Sequence, residues 1–481
     1  MRPFALALLL FALVPLAHAT PPQEQWFSVQ LDGRKIGSFQ TERIERDGQV
    51  RTTQTLQITL ERAGIAIDLR SSESATETRD GKPLAFAARS LLSGVEQRVD
   101  GRVAAGRIEV TTRTGGASQT RSLAWPDGAV LAEGARLAGL RAGLEPGTRY
   151  EVLAFQPSSL DTARVITEVG AVTSVDLPGG RRPLSRIEQT MQLPFGTMRS
   201  QSWVDAQQTI HKLTMPLLGV QLVLLSCDRA CATAPNQGSD IFARTLVSAP
   251  RALTPGELAG TLRYTFTLRG HTTQGPTTTD EQRSSGSGAQ RVVIVRAQAQ
   301  GATPVEQPTA ADFAPNNYLQ SDAPEVLALA RRAAGEASAP AQQMHNIEQF
   351  VRGYIKDKSL GVGYASALEI VRKPEGDCTE HAVLVAALGR ASGIATRVVT
   401  GLAYAPTFAG HDHVFVPHAW AQAFVDGRWR SYDAALGQFD AGHLALGVGD
   451  GDPWRFYAGV EQLGNLELRS IETVPATAST P

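Results

Sequence analysis

Cysteine is scarce. The 481 residues hold three, Cys227, Cys231 and Cys378, so at most one disulfide can form within the chain. Charge of one sign is lacking too. The formal net charge is -1, both signs are mixed along the chain, and no long run of either occurs. That leaves no electrostatic case for nucleic acid or for an anionic membrane surface. Long apolar runs are also missing. Phe4–Leu16 is shorter than the ~20 apolar residues a spanning helix needs, and Met215–Leu225 is short and interrupted by Gly219 and Gln221.

The apolar run at the start has another meaning. It follows Arg2 and ends at Ala17-His18-Ala19, an A-x-A site, the pattern of a cleavable secretory signal peptide cut after Ala19. No cysteine follows the cut, which argues against a lipoprotein anchor. The mature chain is therefore expected to be periplasmic or secreted, soluble and peripheral to the envelope, with no membrane span. In such an oxidising compartment Cys227 and Cys231 are near enough in sequence to pair, leaving Cys378 as the odd thiol. The alternative is that both are buried free thiols.

Length predicts two to four domains at about 100–200 residues each, and the expected architecture is multidomain. After the leader (1–19), residues 20–230 read as a large all-β antiparallel domain. Trp26–Leu31 and Leu56–Leu60 alternate, and Asp-Gly turns recur at 32–33, 47–48, 80–81, 100–101 and 127–128, which points to a large sheet or open barrel. Residues 231–318 read as a small β-sandwich-like segment. Within it Leu262, Tyr264, Phe266 and Leu268 share one strand face, and Thr272–Ala289 is a flexible Thr/Ser/Gly-rich loop. Residues 319–481 read as an α+β domain with a C-terminal tail. Its helices start near Ser321 and Pro340, the second with Met344, Ile347, Val351 and Tyr354 on one buried face.

The chemistry gathers between Lys373 and Asp433. Cys378 to Arg390 is rich in Ala, Val and Leu, is entered through Gly376-Asp377, and is followed by Ser392-Gly393, so it predicts a helix with a glycine just past its end. Cys378 then falls in the first turn, where unpaired N–H groups and the helix dipole favour negative charge. A helix N-terminus beside a histidine can lower a cysteine pKa from about 8.5 to roughly 3.5–7.5, and the thiolate is the nucleophile. The same N–H groups can serve an oxyanion hole.

The partners follow from a hairpin. Asp426-Gly427 is a strong two-residue turn signal with strand-like flanks. With Val425 opposite Arg428, Asp433 falls opposite Trp420, and His418 lies two residues further along on the same face. Diagonal neighbours are about 7–8 Å apart at the backbone, close enough for an imidazole–carboxylate hydrogen bond that fixes the tautomer. A slip of one residue would put the two on opposite faces.

Gly376-Asp377-Cys378-Thr379-Glu380-His381-Ala382, Gly393 to Gly401, His418-Ala419-Trp420 and Trp429 to Asp433 together resemble bacterial transglutaminase-like (transglutaminase-core) proteins. The resemblance covers roughly Ser321 to Ala458 and includes a counterpart of the family's Asp-x-x-His segment at Asp440 to His443. It implies a papain-like fold, with the nucleophile on a helix packed against an antiparallel sheet, and it carries the catalytic triad onto Cys378, His418 and Asp433.

The function expected is an exported cysteine-dependent acyl-transfer enzyme acting on a peptide or protein amide. It would cleave or transfer a peptide or isopeptide bond through a Cys378 thioester, with hydrolysis slightly favoured and no cofactor or metal required. The alternative is a catalytically silent envelope binding or assembly factor that works through the β-rich half. Tyr364, Trp420 and Gln422 are further substrate or oxyanion candidates. His381 is expected to steady its helix, His411-Asp412-His413 to form a mobile loop over the cleft rather than a metal pair, and Gly449–Asp452 to be a loop rather than a calcium site.

Overall fold

The computed structural model describes residues 23–475 apart from 63–64, 93–94, 115–116, 194–195, 218–219, 239–244, 270–274, 299–305, 359–363 and 452–464. The leader expected at 1–19 lies outside them. Among the described residues no helix is long and apolar enough to cross a membrane.

The N-terminal half is one fifteen-stranded sheet. A meander runs outward through β1 (Gln23–Leu31), β2 (Arg34–Arg46), β3 (Gln49–Arg62), β4 (Ile65–Thr78), β5 (Pro83–Leu92), β6 (Val95–Ala104), β7 (Arg107–Thr114) and β8 (Ala117–Ala124). The chain then crosses to β9 (Ala129–Val130) and returns through β10 (Arg149–Gln156), β11 (Asp161–Leu177), β12 (Gly180–Leu193), β13 (Gly196–Val204), β14 (Ile210–Leu217) and β15 (Val220–Cys227), which pairs with β1. Among the described residues of this sheet, the β9–β10 pair is parallel and the others are antiparallel.

The sheet curls on itself. Phe86, Val99, Ile108 and Val110, from β5 to β7, share a core with Ala129 and Phe155 from β9 and β10. Alternation gives each strand one buried face, as in β7, where Ile108, Val110, Thr112 and Thr114 are the buried residues.

A helix, α1 (Ala132–Ala142), packs against this sheet although the sequence there reads as β. Its first turn has no side-chain cap of its own. The buried carboxylate of Glu77 on β4 accepts the N–H groups of Glu133 (2.6 Å) and Gly134 (2.9 Å) instead, satisfying donors that the helix start leaves orphaned. After β15, Cys227 is bonded to Cys231 on a four-residue helix, α2 (Arg229–Ala232).

The remaining chain does not divide at residue 318 as expected. Strand β16 (Val247–Ser248) adds to the edge of the C-terminal sheet, and after the short α3 (Pro255–Leu258) come β17 (Thr261–Leu268), β18 (Gln282–Ser285) and β19 (Gln290–Arg296). The helices α4 (Pro324–Ala334), α5 (Pro340–Tyr354), α6 (Ala367–Arg372) and α7 (Cys378–Ala391) lead into β20 (Thr396–Phe408), β21 (His411–Val425), β22 (Arg428–Tyr432) and β23 (His443–Gly449).

The last strand, β24 (Leu466–Thr473), turns back and pairs with β17. Sheet β18-β19-β17-β24 lies against sheet β16-β21-β20-β23. Leu262, Tyr264, Phe266, Val293 and Val295 share one core with Leu402, Phe415, Leu444, Leu468 and Ile471. The sandwich is real, but each segment supplies one layer. The residues expected to be a C-terminal tail include a structural strand of the middle sheet.

On the opposite side of β20 and β21, helices α4 to α7 close a second core built from Val326, Met344, Ile347, Val351, Val383, Leu384, Ala419, Ala421 and Tyr432. Helix α7 is buried along nearly its whole length, with an apolar middle from Ala382 to Leu388, as suits a helix enclosed by other elements.

Candidate active site

Cys378 is the first residue of α7, and local chemistry fixes that boundary. Gly376 has φ +144 and a Cβ there would collide with the Glu380 side chain, so only glycine lets the chain enter at this angle. Asp377 is the N-cap, accepting the Thr379 N–H at 2.9 Å and its hydroxyl at 2.8 Å. Glu380 completes the capping box by accepting the Asp377 N–H at 2.8 Å, and it also accepts the Ala365 N–H at 2.9 Å. Burial and the adjacent Asp377 charge push the Glu380 carboxyl up, against the pull of those two N–H donors. The Thr379 N–H is thereby engaged by the cap. Cys378 retains its thiol, is partly buried, and sits where α7 packs on β21.

The hairpin has the register read from its turn. Val425 pairs with Arg428, and the ladder runs to Ala421 opposite Tyr432. Asp426 and Gly427 take φ +50 and +77, the paired positive values of a type I′ turn. Asp433 follows directly, and its Oδ2 accepts His418 Nε2–H at 2.7 Å. With Nε2 committed to Asp433, Nδ1 is the imidazole nitrogen left for proton exchange. Opposite His418 stands Gly401, where a Cβ would strike the Leu444 carbonyl and crowd Trp420. The indole of Trp420 stacks on the His418 ring at 6.2 Å between centroids and is anchored by Nε1–H to Ser431 Oγ at 3.0 Å.

Asp433 is buried (1% exposed). Its Oδ1 accepts the N–H groups of Ala435 (2.9 Å) and Leu436 (3.1 Å). Burial alone would raise the carboxyl, but the charge and hydrogen bond of His418 and the hydrogen bond of His443 outweigh it and hold Asp433 well below the usual carboxylate range. His443 donates from Nε2 to the same Oδ2 at 3.0 Å. Ligand atoms of His418, Asp433 and His443 lie within 4.8 Å of one another, a spacing also compatible with a metal ion, yet the two N–H···O bonds account for the cluster.

Two buried acids missed from sequence support this core. Glu348 of α5 accepts the Asp433 N–H at 2.7 Å, and burial pushes it up to about 7. Glu281 accepts Ser431 N–H (2.6 Å), Ser431 Oγ–H (2.6 Å) and Gln422 Nε2–H (3.0 Å), and burial likewise raises it to about 7. Glu281 and the buried Gln282 belong to the stretch expected to be a flexible loop. Its residues 272–274 lie outside the described ones, but Glu281 is tied to the β21–β22 hairpin and Gln282 to Ala445. A signal for Glu348 was available, because it shares the helical stripe of Met344, Ile347 and Val351.

The remaining candidates are buried and hydrogen-bonded within the fold. Tyr364 donates its hydroxyl to the Gly451 carbonyl (2.8 Å) and packs edge-on against Tyr318. Gln422 is buried, accepting Arg397 Nε–H (3.0 Å) and donating to Glu281 and Ser431. Trp420 is buried behind His418. Each is a brace, because its polar atoms are consumed inside the fold.

His381 donates Nδ1–H to the Asp377 carbonyl at 2.6 Å and so holds the first turn of its helix. Its Nε2 is buried with no hydrogen-bond partner among the described residues, and burial keeps this imidazole below its ordinary value. His411 and Asp412 form the paired start of β21 rather than a mobile loop, and the His413 carbonyl accepts the Ala249 N–H at 2.7 Å. Gly449 ends β23, and Asp450 and Gly451 supply backbone carbonyls to Asn316 and Tyr364.

Cys378 thus begins a helix that packs on β21, the strand that carries His418, and Asp433, just past β22, is bonded to that histidine. Residues 327–434 match the model of the Transglutaminase-like superfamily, and this part of the chain is a transglutaminase-like domain. The matched stretch contains Cys378, His418 and Asp433 and stops before His443. Comparison with curated proteins gives no match.

Among solved structures, a candidate cysteine protease from Cytophaga hutchinsonii is 18% identical, covering 47% of this chain and 88% of its own, with a TM-score of 0.27. A β-barrel-like protein of a domain of unknown function from Brucella abortus is 12% identical, covering 43% and 96%, with a TM-score of 0.33. A candidate protease from Parabacteroides distasonis is 9% identical, covering 73% and 68%, with a TM-score of 0.20.

Proposed function

We propose that the protein is an exported cysteine-dependent acyl-transfer enzyme acting on peptide or isopeptide amide bonds. The observation that carries this reading is the buried 2.7 Å bond between His418 of β21 and Asp433, which follows β22; the helix that begins with Cys378 packs on β21. The Cys378 thiolate adds to the amide carbonyl carbon, and the carbonyl π pair moves to oxygen. The start of α7 favours that oxyanion through its dipole. On collapse the C–N bond breaks, His418 Nδ1 gives its proton to the leaving amine, and a thioester remains on Cys378. Water, or an amine, then attacks the thioester carbon while His418 Nδ1 takes its proton, and collapse breaks the C–S bond, returning the Cys378 thiolate and releasing the acid or the new amide. Hydrolysis is the favoured outcome, because water is abundant and nothing in the sequence announces a dedicated amine site.

Export rests on the leader pattern at Met1–Ala19, and mass spectrometry of the N-terminus of the protein made in its own cells tests it. For the chemistry, the reduced protein is treated with iodoacetamide across pH 4–9 and the modified cysteine located by mass spectrometry. Fast, selective labelling of Cys378 well below pH 8 is expected. His418→Ala should slow it about 300-fold at pH 6, the deficit of thiolate for an ordinary thiol of pKa about 8.5. Labelling that follows an ordinary thiol profile and ignores His418→Ala would sink this reading and favour a binding or assembly role for the β-rich half. If labelling succeeds, peptide hydrolysis and amine incorporation assays, with Cys378→Ala as control, separate hydrolase from transferase.

A further inference from the structure

The Asp433 carboxylate is held from two sides by two imidazoles, and only one of them belongs to the site proposed above. His443 Nε2–H meets Oδ2 at 3.0 Å, on the same oxygen that His418 reaches at 2.7 Å. At the far side of the ring, Nδ1–H of His443 donates to Asp440 Oδ1 at 2.9 Å. The Asp440 N–H approaches the same Nδ1 at 3.3 Å, and the shorter contact to the carboxylate places the proton on the ring.

An imidazole with a carboxylate on each nitrogen carries both protons, so it is a cation. The four side chains form one line, His418–Asp433–His443–Asp440. The His443 ring is clamped, with Phe439 at 4.9 Å and Trp420 at 5.2 Å between centroids. It is 2% exposed.

We propose that His443, held by Asp440, is a positioning residue that keeps a fixed positive charge and a second N–H donor on Asp433, and so sets the pull of Asp433 on His418. A lone buried carboxylate would hold the His418 proton too tightly for easy transfer to a leaving amine. Sharing Oδ2 with a cation weakens that grip and also fixes the carboxylate plane, which the Ala435 and Leu436 N–H groups anchor at Oδ1.

The other titratable groups facing this line are few. Glu348 of α5 meets the Asp433 N–H, and His381 of α7 lies near enough to feel the Asp433 charge. From β17 the Tyr264 hydroxyl bonds the Ala441 carbonyl at 2.6 Å and faces Asp440. Burial opposes the His443 charge, but the Asp433 and Asp440 hydrogen bonds and charges exceed it and raise the imidazole to about 9, which agrees with the geometry.

The inference rests on the Cys378–His418–Asp433 reading, and its test is arranged to separate the two. Iodoacetamide alkylation of Cys378 is followed against pH for the full chain, wild type and His443→Gln; glutamine keeps an N–H donor but no charge. With the ring centroids of His418 and His443 5.8 Å apart, loss of that charge should move both limbs of the pH profile upward by about one pH unit. A uniform drop in rate with unmoved limbs is what a merely structural role gives, and it overturns the proposal.

If His443→Gln does not fold, as judged by circular dichroism, imidazole 15N shifts of the wild type decide. With Cys378 alkylated, so that no thiolate holds a second proton on His418, one histidine should remain protonated on both nitrogens at pH 8, and finding none overturns the proposal. A wild-type profile that is that of an ordinary thiol, unchanged by His418→Ala, instead removes the parent reading, and this inference falls with it.

Discussion

Cys378, His418 and Asp433 each stand in a context legible one residue at a time: a helix start, a strand, the end of a hairpin. The acids behind them were not legible, because a glutamate reads as solvent-facing until the packing around it is known. Glu348 shows what such a residue costs. Its carboxyl, raised from 4.5 to about 7, accepts the Asp433 N–H but resists ionising.

The sign follows from linkage. Between about pH 4.5 and 7 the folded state binds more protons at Glu348 than the unfolded state, so stability from this group is complete below 4.5 and is lost as pH rises through 7. Glu348→Gln keeps an acceptor for the Asp433 N–H and removes the charge. It should stabilise the protein by roughly 1–3 kcal/mol at pH 8 and leave it nearly unchanged at pH 4.5. Urea unfolding at the two pH values measures this, and equal stability at pH 8 would mean that Glu348 ionises without penalty.

Among the elements, the β21–β22 hairpin was the most legible, because its Asp426-Gly427 turn sets register by conformation alone. Less legible were α1, which has no side-chain cap and borrows Glu77 from a strand 55 or more residues away in sequence, and the Thr/Ser/Gly-rich stretch, whose composition hides the anchors Glu281 and Gln282.

These two features of the hairpin, its turn and its anchors, can be separated. Gly427→Val forces a β-branched residue to φ near +77 and should cost about 1–3 kcal/mol in thermal or urea unfolding. The register should survive, since Ser431 is pinned by Glu281 and Trp429 N–H by Asp280 at 2.7 Å. Rapid Cys378 alkylation at pH 6 should therefore persist. Its loss in a variant that is still folded would show that the turn, not the anchors, sets the register that brings His418 to Asp433.

For the whole molecule, the three β and α+β layers were readable from alternation and helical periodicity, but the partition between them was not. Sequence order suggested a middle β unit followed by a catalytic unit with a tail. Instead β24 returns to pair with β17, and Leu466, Leu468 and Ile471 enter the core that also holds Leu402, Phe415 and Leu444 of the β16-β21-β20-β23 sheet. Such a return is set by long-range pairing, and β24 itself is a short strand whose alternation is broken by a bulge opposite Thr265 and Phe266. The arrangement makes a strong demand on truncation. Ending the chain before Leu466 removes three buried side chains worth about 1.5–3 kcal/mol each and leaves β17 as a raw edge. That loss approaches the whole net stability of about 5–15 kcal/mol typical of a domain. The truncated protein should lose cooperative unfolding of the C-terminal region, become sensitive to protease between residues 247 and 449, and alkylate Cys378 like an ordinary thiol. The fifteen-stranded half, which holds its own cores, should melt as before. A truncated chain that keeps a protease-resistant, rapidly alkylating C-terminal region would show that the transglutaminase-like domain stands without its sandwich partner.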